Sequence, residues 1–318
     1  MTRVFMFPGQ SSRDPAMVTR AFTMVPDVAR EVFAEAADTL GRDLASHYTT
    51  GEGVEFRSNQ DIQIGVFLVN HVHLTALERA GVSAPVSLGL SLGEYNHVVH
   101  IGGLAFPDAL RLVNERGQLY DKGPAGVMAA IFPIDPEELA PILAEAPALG
   151  PVAVAVSGSP TQTVIAGTPE AVERVAERVD DELFAQCVMI ERQIPMHVPL
   201  FAPVGELFSP VLEATPWREA TLPYLPNVEG RFVPTNGAST YVEPLLRHVS
   251  SPVRWRQSID FLVERLEDPV FVEVGPKKAL TNLLSPKWHR VRRFHTDVAD
   301  DPARSFEDLV KELTDGPG

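Results

Sequence analysis

A single cysteine, Cys187, stands in a chain of 318 residues, so no disulfide can close within it and a thiolate metal site has almost nothing to draw on. No stretch approaches the roughly 20 apolar residues that a membrane helix needs. The opening residues, Met-Thr-Arg-Val-Phe-Met-Phe-Pro, lack the apolar core of an export signal and meet a proline early. Basic residues are outnumbered, 27 Lys and Arg against 42 Asp and Glu, and the net charge of −15 argues against a nucleic-acid partner. Internal repeats and low-complexity tracts are missing too. These absences imply a cytoplasmic protein that needs no membrane, no metal and no tightly bound organic cofactor. What is present, 45% hydrophobic and 22% charged residues, is enough to bury a large core in one big domain or a large one with a small companion.

The few basic residues cluster. Lys277, Lys278, Lys287, Arg290, Arg292 and Arg293 fall in one late segment that also holds His289 and His295. Such a run reads either as a solvated, charge-balanced surface or as a docking patch for an acidic partner.

Hydrophobic periodicity divides the chain. Val4–Phe7 reads as a buried strand entering a turn at Pro8-Gly9, with helices over Asp27–Leu44 and Ile64–Ala80. Pro85–Leu90 is a second short strand, and Gly93–Gly102 opens a further helix. This alternation predicts a mostly parallel sheet covered by helices. From Gly126 the rhythm changes: strand Val127–Pro133, helix Asp135–Ala146, strands Val152–Val156 and Thr163–Ala166 joined through Ser157-Gly158-Ser159-Pro160, helix Pro169–Asp181, and strand Cys187–Glu191. That βαββαβ order is the ferredoxin-like unit. Thr221–Leu284 then returns to short strands and helices that rejoin the main sheet. The expectation is an α/β protein: a large α/β-hydrolase-like domain over 1–125 and 195–318, with a small ferredoxin-like subdomain inserted over 126–194.

Gly89-Leu90-Ser91-Leu92-Gly93 lies between a strand and a helix. Glycines around a serine permit a sharp strand-to-helix turn that exposes the hydroxyl at a helix N-terminus, where a developing oxyanion is favoured. A capping serine in a glycine-bounded turn is the plainer alternative. A nucleophilic serine needs a base, and spacing alone does not choose among nine histidines. His97 and His100 lie too far along the following helix, and His71 and His73 point to different faces. His197, held between Pro195 and Pro199, is the best candidate.

Together these segments resemble the malonyl-CoA:acyl carrier protein transacylase family, which includes the acyltransferase domains of polyketide synthases. Phe7-Pro8-Gly9-Gln10 is similar to the family's F-P-G-Q-G-S-Q, and Gly89–Tyr95 to G-H-S-L-G-E-Y. Asn114-Glu115-Arg116-Gly117 resembles its R-G segment, and Gly126–Ala130 its G-x-M-A-A. Ser159-Pro160 with Gln162 and Val164–Gly167 resembles N-S-P-x-Q-x-V-I-S-G; Pro252–Trp255 and Glu273–Pro276 complete the set. The resemblance implies that Ser91 carries the acyl group as an ester, with His197 as base and acid. The backbone carbonyl of His248 would orient that histidine, and the backbone N–H groups of Gln10 and Leu92 would form the oxyanion hole. Gln63 would line the acyl pocket, and Arg116 would pair with the free carboxylate of a malonyl-type unit, unless a salt bridge behind the site claims it.

Departures from the pattern bear on the substrate. Leu90 stands where the family has histidine, Ser11 and Arg13 replace glycine and glutamine, and Gly158 replaces asparagine. Met196 is neither the phenylalanine nor the serine that selects malonyl or methylmalonyl units. The substrates implied are acyl-CoA, or a carrier-protein thioester, and the partner an acyl carrier protein, whose acidity would suit the basic segment. The rivals are a transferase moving an unusual acyl or aminoacyl unit between carrier proteins, an editing thioester hydrolase, and a non-catalytic scaffold.

Overall fold

The computed structural model of the chain describes residues 1–49, 56–134, 136–145, 150–237, 239–284, 286, 289–298 and 305–315. Two compact units are present: residues 1–121, 216–224 and 266–318 make the first, residues 122–215 and 225–265 the second.

The first unit holds four strands, β1 (Thr2–Phe7), β2 (Val86–Gly89), β7 (Pro269–Glu273) and β8 (Arg292–His295), ordered β2-β1-β7-β8 with every pairing parallel. Parallel strands are covered on both faces, which is why β1 and β7 read as unbroken apolar runs rather than alternating ones. Their cover comes from α1 (Met17–Met24), α2 (Pro26–Leu40), α3 (Leu44–Thr49), α4 (Asn59–Arg79), α5 (Gly93–His100), α6 (Phe106–Tyr120), α12 (Ala279–Leu283) and α13 (Phe306–Asp315). Phe5 and Phe7 of β1, Val272 of β7, Leu74 and Leu77 of α4 and Leu309 and Leu313 of α13 share one core. Helix α4 is apolar around most of its girth and buried along its length, the pattern of a central helix. Its polar exceptions, Gln63, Asn70 and His73, are fully buried.

The second unit holds β3 (Val127–Phe132), β4 (Val152–Ser159), β5 (Gln162–Gly167) and β6 (Gln186–Glu191), an antiparallel sheet in the order β4-β5-β3-β6. With α7 (Pro136–Ala144) and α8 (Pro169–Leu183) between them this is the ferredoxin-like βαββαβ unit that the chain pattern implied. Thr168 caps α8 through the Ala171 N–H, and Ala171, Val172, Val175 and Val179 bury one stripe against the sheet. Helices α9 (Ala202–Ala214), α10 (Ser239–Ser250) and α11 (Trp255–Arg265) belong to the same compact unit.

Several elements differ from the sequence reading. The helix expected over Asp27–Leu44 ends at Leu40, because Gly41 takes a left-handed conformation and stops it. Helix α4 starts five residues early, where Ser58 accepts the Asp61 N–H. Ser157–Ser159 are strand rather than loop, with the β4–β5 register slipping around Gly158. The basic segment hides β8: a strand spelled Arg-Arg-Phe-His does not look like one, yet at a sheet edge its long side chains can reach solvent. The start of the expected 135–146 helix, Asp135, and its last residue, Ala146, lie outside the described residues.

Glu273 closes β7 fully buried, accepting from Leu280 N–H (3.0 Å), Thr281 N–H (2.8 Å) and Thr281 Oγ1 (2.8 Å). Burial outweighs these donors and pushes its carboxyl up to about 7. A folded-state affinity for protons above that of the unfolded chain stabilises below pH ~4.5 and is lost as pH rises through about 7. Urea midpoints of the wild type should therefore fall across that window, by at most about 3 kcal/mol. In Glu273→Gln the baseline drops and that slope flattens; an unchanged slope would rule out Glu273 as its source.

Candidate active site

β2 ends at Gly89 and α5 begins at Gly93, so the chain reverses over three residues. Ser91 sits at the reversal with φ 54°, a left-handed conformation that a serine adopts at a cost of about 1–3 kcal/mol. The turn is tight enough to exclude side chains on either flank. A Cβ at Gly93 would lie 2.0 Å from the Phe7 carbonyl oxygen, and one at Gly89 2.0 Å from the Gly93 carbonyl carbon. Leu90 N–H donates to Phe7 O (2.9 Å), Gly93 N–H to Leu90 O (3.0 Å) and Glu94 N–H to Ser91 O (3.0 Å). Leu92, the N-cap of α5, keeps its N–H ahead of the helix's own bonds, at the positive end of the dipole.

The loop after β1 rests on this elbow: a Cβ at Gly9 would stand 3.5 Å from Ser91 Cβ. Next in that loop is Gln10, buried, whose side-chain Nε2 donates to Asn59 Oδ1 at 3.2 Å. Asn70 of α4 holds the loop from beneath by donating to Pro8 O (3.0 Å) and to Asn96 Oδ1 (2.9 Å).

Arg116 lies on α6, 1% exposed. Its Nη1 donates to Gln63 Oε1 at 2.6 Å, and its guanidinium lies 4.0 Å from the Tyr120 ring centroid and 5.3 Å from that of Tyr95. No carboxylate among the described residues pairs with it, and neither Arg116 Nη2 nor Gln63 Nε2 has a hydrogen-bond partner. Burial raises the Tyr95 and Tyr120 hydroxyls against the pull of Arg116, so both rings stay neutral. A buried cation whose partners among the described residues are neutral, with donors left over, has the chemistry to pair with an anion.

His197 belongs to the second unit and is also left-handed, with φ 64°. Its N–H donates to Val249 O (3.1 Å), and its Nδ1 lies 2.7 Å from His248 O. A carbonyl only accepts, so Nδ1 carries the proton and the neutral ring keeps its lone pair on Nε2, the form a general base needs. The His248 ring stacks on it at 4.6 Å and 14°. Met196, next to His197, is buried, as is Gly158 at the β4 irregularity.

Four other histidines are committed elsewhere. His97 and His100 both direct Nδ1 at Ser87 Oγ (2.7 and 2.8 Å), His73 meets Thr296 Oγ1 (2.6 Å), and His71 stacks on Phe106 at 4.0 Å. Burial pulls all four down, His97 to about 3 and the others to about 4. Of the basic segment, Lys277, Lys278 and Arg290 are exposed, while Arg292 pairs with Asp268 (3.3 Å) and Arg293 donates to Leu284 O. Lys287 lies outside the described residues. Sequence reasoning assigned no role to Tyr95, Tyr120, Asn59 or Asp121; Tyr120 lies one turn from Arg116 on α6, whereas Tyr95 meets Arg116, and Asn59 meets Asp121, across long stretches of chain.

Comparison with known proteins places the chain among acyltransferases. The sequence model of the acyl transferase domain matches residues 4–299. A malonyl CoA-acyl carrier protein transacylase of Bacillus subtilis is 32% identical over 302 residues, covering 94% of this chain and 93% of that one. A polyketide biosynthesis protein of Burkholderia thailandensis is 30% identical over 281 residues, 88% of this chain and 24% of its own length. Among solved structures, a malonyl-transacylase in complex with its type II PKS acyl-carrier protein superposes with TM-score 0.89 at 27% identity, covering 99% of this chain and 100% of that one. A Clostridium perfringens malonyl CoA-acyl carrier protein transacylase gives 0.87 at 26%, over 99% and 97%.

The steric reading of the elbow has a direct test. Gly93→Ala places a methyl group against a backbone oxygen that cannot move without shifting β1, so a loss of about 3 kcal/mol or more is expected in urea denaturation. A wild-type midpoint would mean the turn is looser than described.

Proposed function

We propose, for a chain that belongs to the acyl transferase domain family, that it loads a malonyl group from malonyl-CoA onto Ser91 and passes it to the phosphopantetheine thiol of an acyl carrier protein. The observation that carries the substrate choice is Arg116, a buried guanidinium with an unused donor beside a second unused donor on Gln63. A malonyl carboxylate supplies the missing charge. An aminoacyl unit would bring an ammonium toward that cation, and a plain acyl unit would leave it uncompensated, so the geometry favours a dicarboxylic group over the other transferase reading.

The chemistry runs in two halves. Ser91 Oγ attacks the thioester carbonyl while its proton passes to His197 Nε2, and the tetrahedral oxyanion takes the N–H groups of Gln10 and Leu92. The C–S bond breaks, the imidazolium returns its proton to the departing thiolate, and the malonyl ester remains. The pantetheine thiol then repeats the steps in reverse. His248 O, accepting from His197 Nδ1, keeps Nε2 as the basic nitrogen throughout. The relatives from polyketide systems support polyketide assembly as the setting, and the exposed cations Lys277, Lys278 and Arg290 offer an acidic carrier protein a surface.

Intact-protein mass spectrometry after mixing with malonyl-, methylmalonyl- or acetyl-CoA tests the covalent step. A malonyl adduct is expected on the wild type and none on Ser91→Ala; an adduct that survives the alanine would remove Ser91 from the mechanism. His197→Ala should slow loading by about 10²–10⁴-fold. Arg116→Ala should cut malonyl loading by roughly 10²-fold or more while sparing acetyl. Equal effects on the two would overturn the role argued for the arginine.

A further inference from the structure

On the reading just given, a malonyl thioester must be held at two points at once. Its thioester carbonyl lies at the N–H groups beside Ser91, and its free carboxylate at Arg116. One methylene separates those two carbons, so the oxyanion loop and α6 have to stay in register to within about 0.5 Å. A plain acetyl thioester has only the first of the two contacts and imposes no such register.

We infer that Asp121, the residue following α6, is the positioning residue that sets this register. Its Oδ1 accepts from the Asn59 N–H (2.7 Å) and from Asn59 Nδ2 (3.0 Å), and its Oδ2 from the Gln60 N–H (3.2 Å). Asn59 in turn accepts from Gln10 Nε2 at 3.2 Å, the side chain of the loop residue that offers its backbone N–H to the oxyanion. One turn further along α4, Gln63 accepts from Arg116 at 2.6 Å. The contacts close a ring: Gln10 to Asn59, Asn59 to Asp121, along α6 to Arg116, across to Gln63, and back along α4 to Asn59. Asp121 is the one carboxylate in it.

Ser58 caps α4 only at the Asp61 N–H (3.0 Å), and Asp121 takes the two first-turn donors that Ser58 leaves. The carboxylate of Asp121 arrives from a different helix, and Asn59, 2% exposed, spends both ends of its amide on the link between that helix and the oxyanion loop. A charged acceptor on backbone donors makes each of these bonds stronger and stiffer than an amide would.

A clamp of this kind has a signature that a merely structural residue lacks: it affects the substrate with two contacts more than the substrate with one. Single-turnover acylation of Ser91 would be followed with malonyl-CoA and acetyl-CoA for the wild type, Asp121→Ala, Asp121→Asn and Asn59→Ala, each below its measured melting temperature. The ratio of malonyl to acetyl rates is expected to fall on the order of tenfold or more in Asp121→Ala, since a 1 Å misplacement can cost about 10²-fold. Asp121→Asn, which keeps an acceptor for the Asn59 N–H, should fall between. Asn59→Ala keeps the Asn59 and Gln60 N–H groups on Asp121 while removing the Nδ2 bond to Asp121 and the branch to Gln10, so it should lower the ratio even where Asp121→Ala folds poorly. A ratio unchanged in both alanine variants, whether the two rates fall together or not at all, overturns the inference. A wild type that takes no malonyl group overturns the functional reading beneath it, and does so before any variant is compared.

Discussion

Three backbones meet behind Ser91 more closely than any pair of Cβ atoms would allow, and the first unit is arranged around that meeting. The end of β1 supplies the Phe7 carbonyl to Leu90, β2 ends in Gly89, and α5 starts at Gly93 against the same carbonyl. Hydrogen bonding and sterics act here in the same direction: the Leu90 bond draws the elbow onto β1, and the absence of side chains at the two glycines lets it arrive. What emerges is a serine in a left-handed conformation at a helix N-terminus, strained by about 1–3 kcal/mol. A strain of that size persists only because the parallel sheet on either side of β1 holds it.

The second constraint is electrostatic. Moving a guanidinium out of water costs several kcal/mol even after relaxation. Two aromatic rings return about 0.5–2 kcal/mol each and one amide hydrogen bond about as much again, so the environment of Arg116 falls short of a charge partner. A carboxylate partner would offset that deficit. Selectivity of this kind needs no shape-matched pocket. It would follow from one buried donor on the arginine and one on Gln63 that no described residue engages.

Much of this was legible in the chain, and the boundary between legible and hidden is physical. Strands buried on both faces announce themselves as apolar runs, so β1 and β2 were readable, as was the βαββαβ order. The elbow was readable because glycine is the only residue that tolerates its contacts. The edge strand β8 was not, because its cations disguise it as surface. The helix over residues 27–44 broke at a left-handed Gly41, a conformation that periodicity does not register. At the site, motifs pointed to Ser91, His197 and Arg116, each embedded in a recognisable local pattern. The stack of Tyr120 on Arg116 is a contact one turn apart within α6 that no motif singled out, and the clamp of Asp121 depends on α4 and α6 packing side by side, with Asn59 and Asp121 62 residues apart.

On the proposed mechanism, the use of a carbonyl rather than a carboxylate behind His197 fits the bond being broken. A carboxylate partner would fix the same tautomer, but would also stabilise the imidazolium and so strengthen the base. The His248 carbonyl fixes the tautomer with a dipole alone, at 2.7 Å, and the left-handed turn at His197 with its bond to Val249 O does the remaining positioning. A weaker base suffices where the substrate is a thioester, whose thiolate departs readily and whose carbonyl is already electrophilic. It also activates water less, which matters to an enzyme whose intermediate is an ester that must survive until a second thiol arrives. In the second unit the tautomer of His197 is set by backbone, and in the first unit the unused donor on Arg116 is what the proposed malonyl carboxylate would meet.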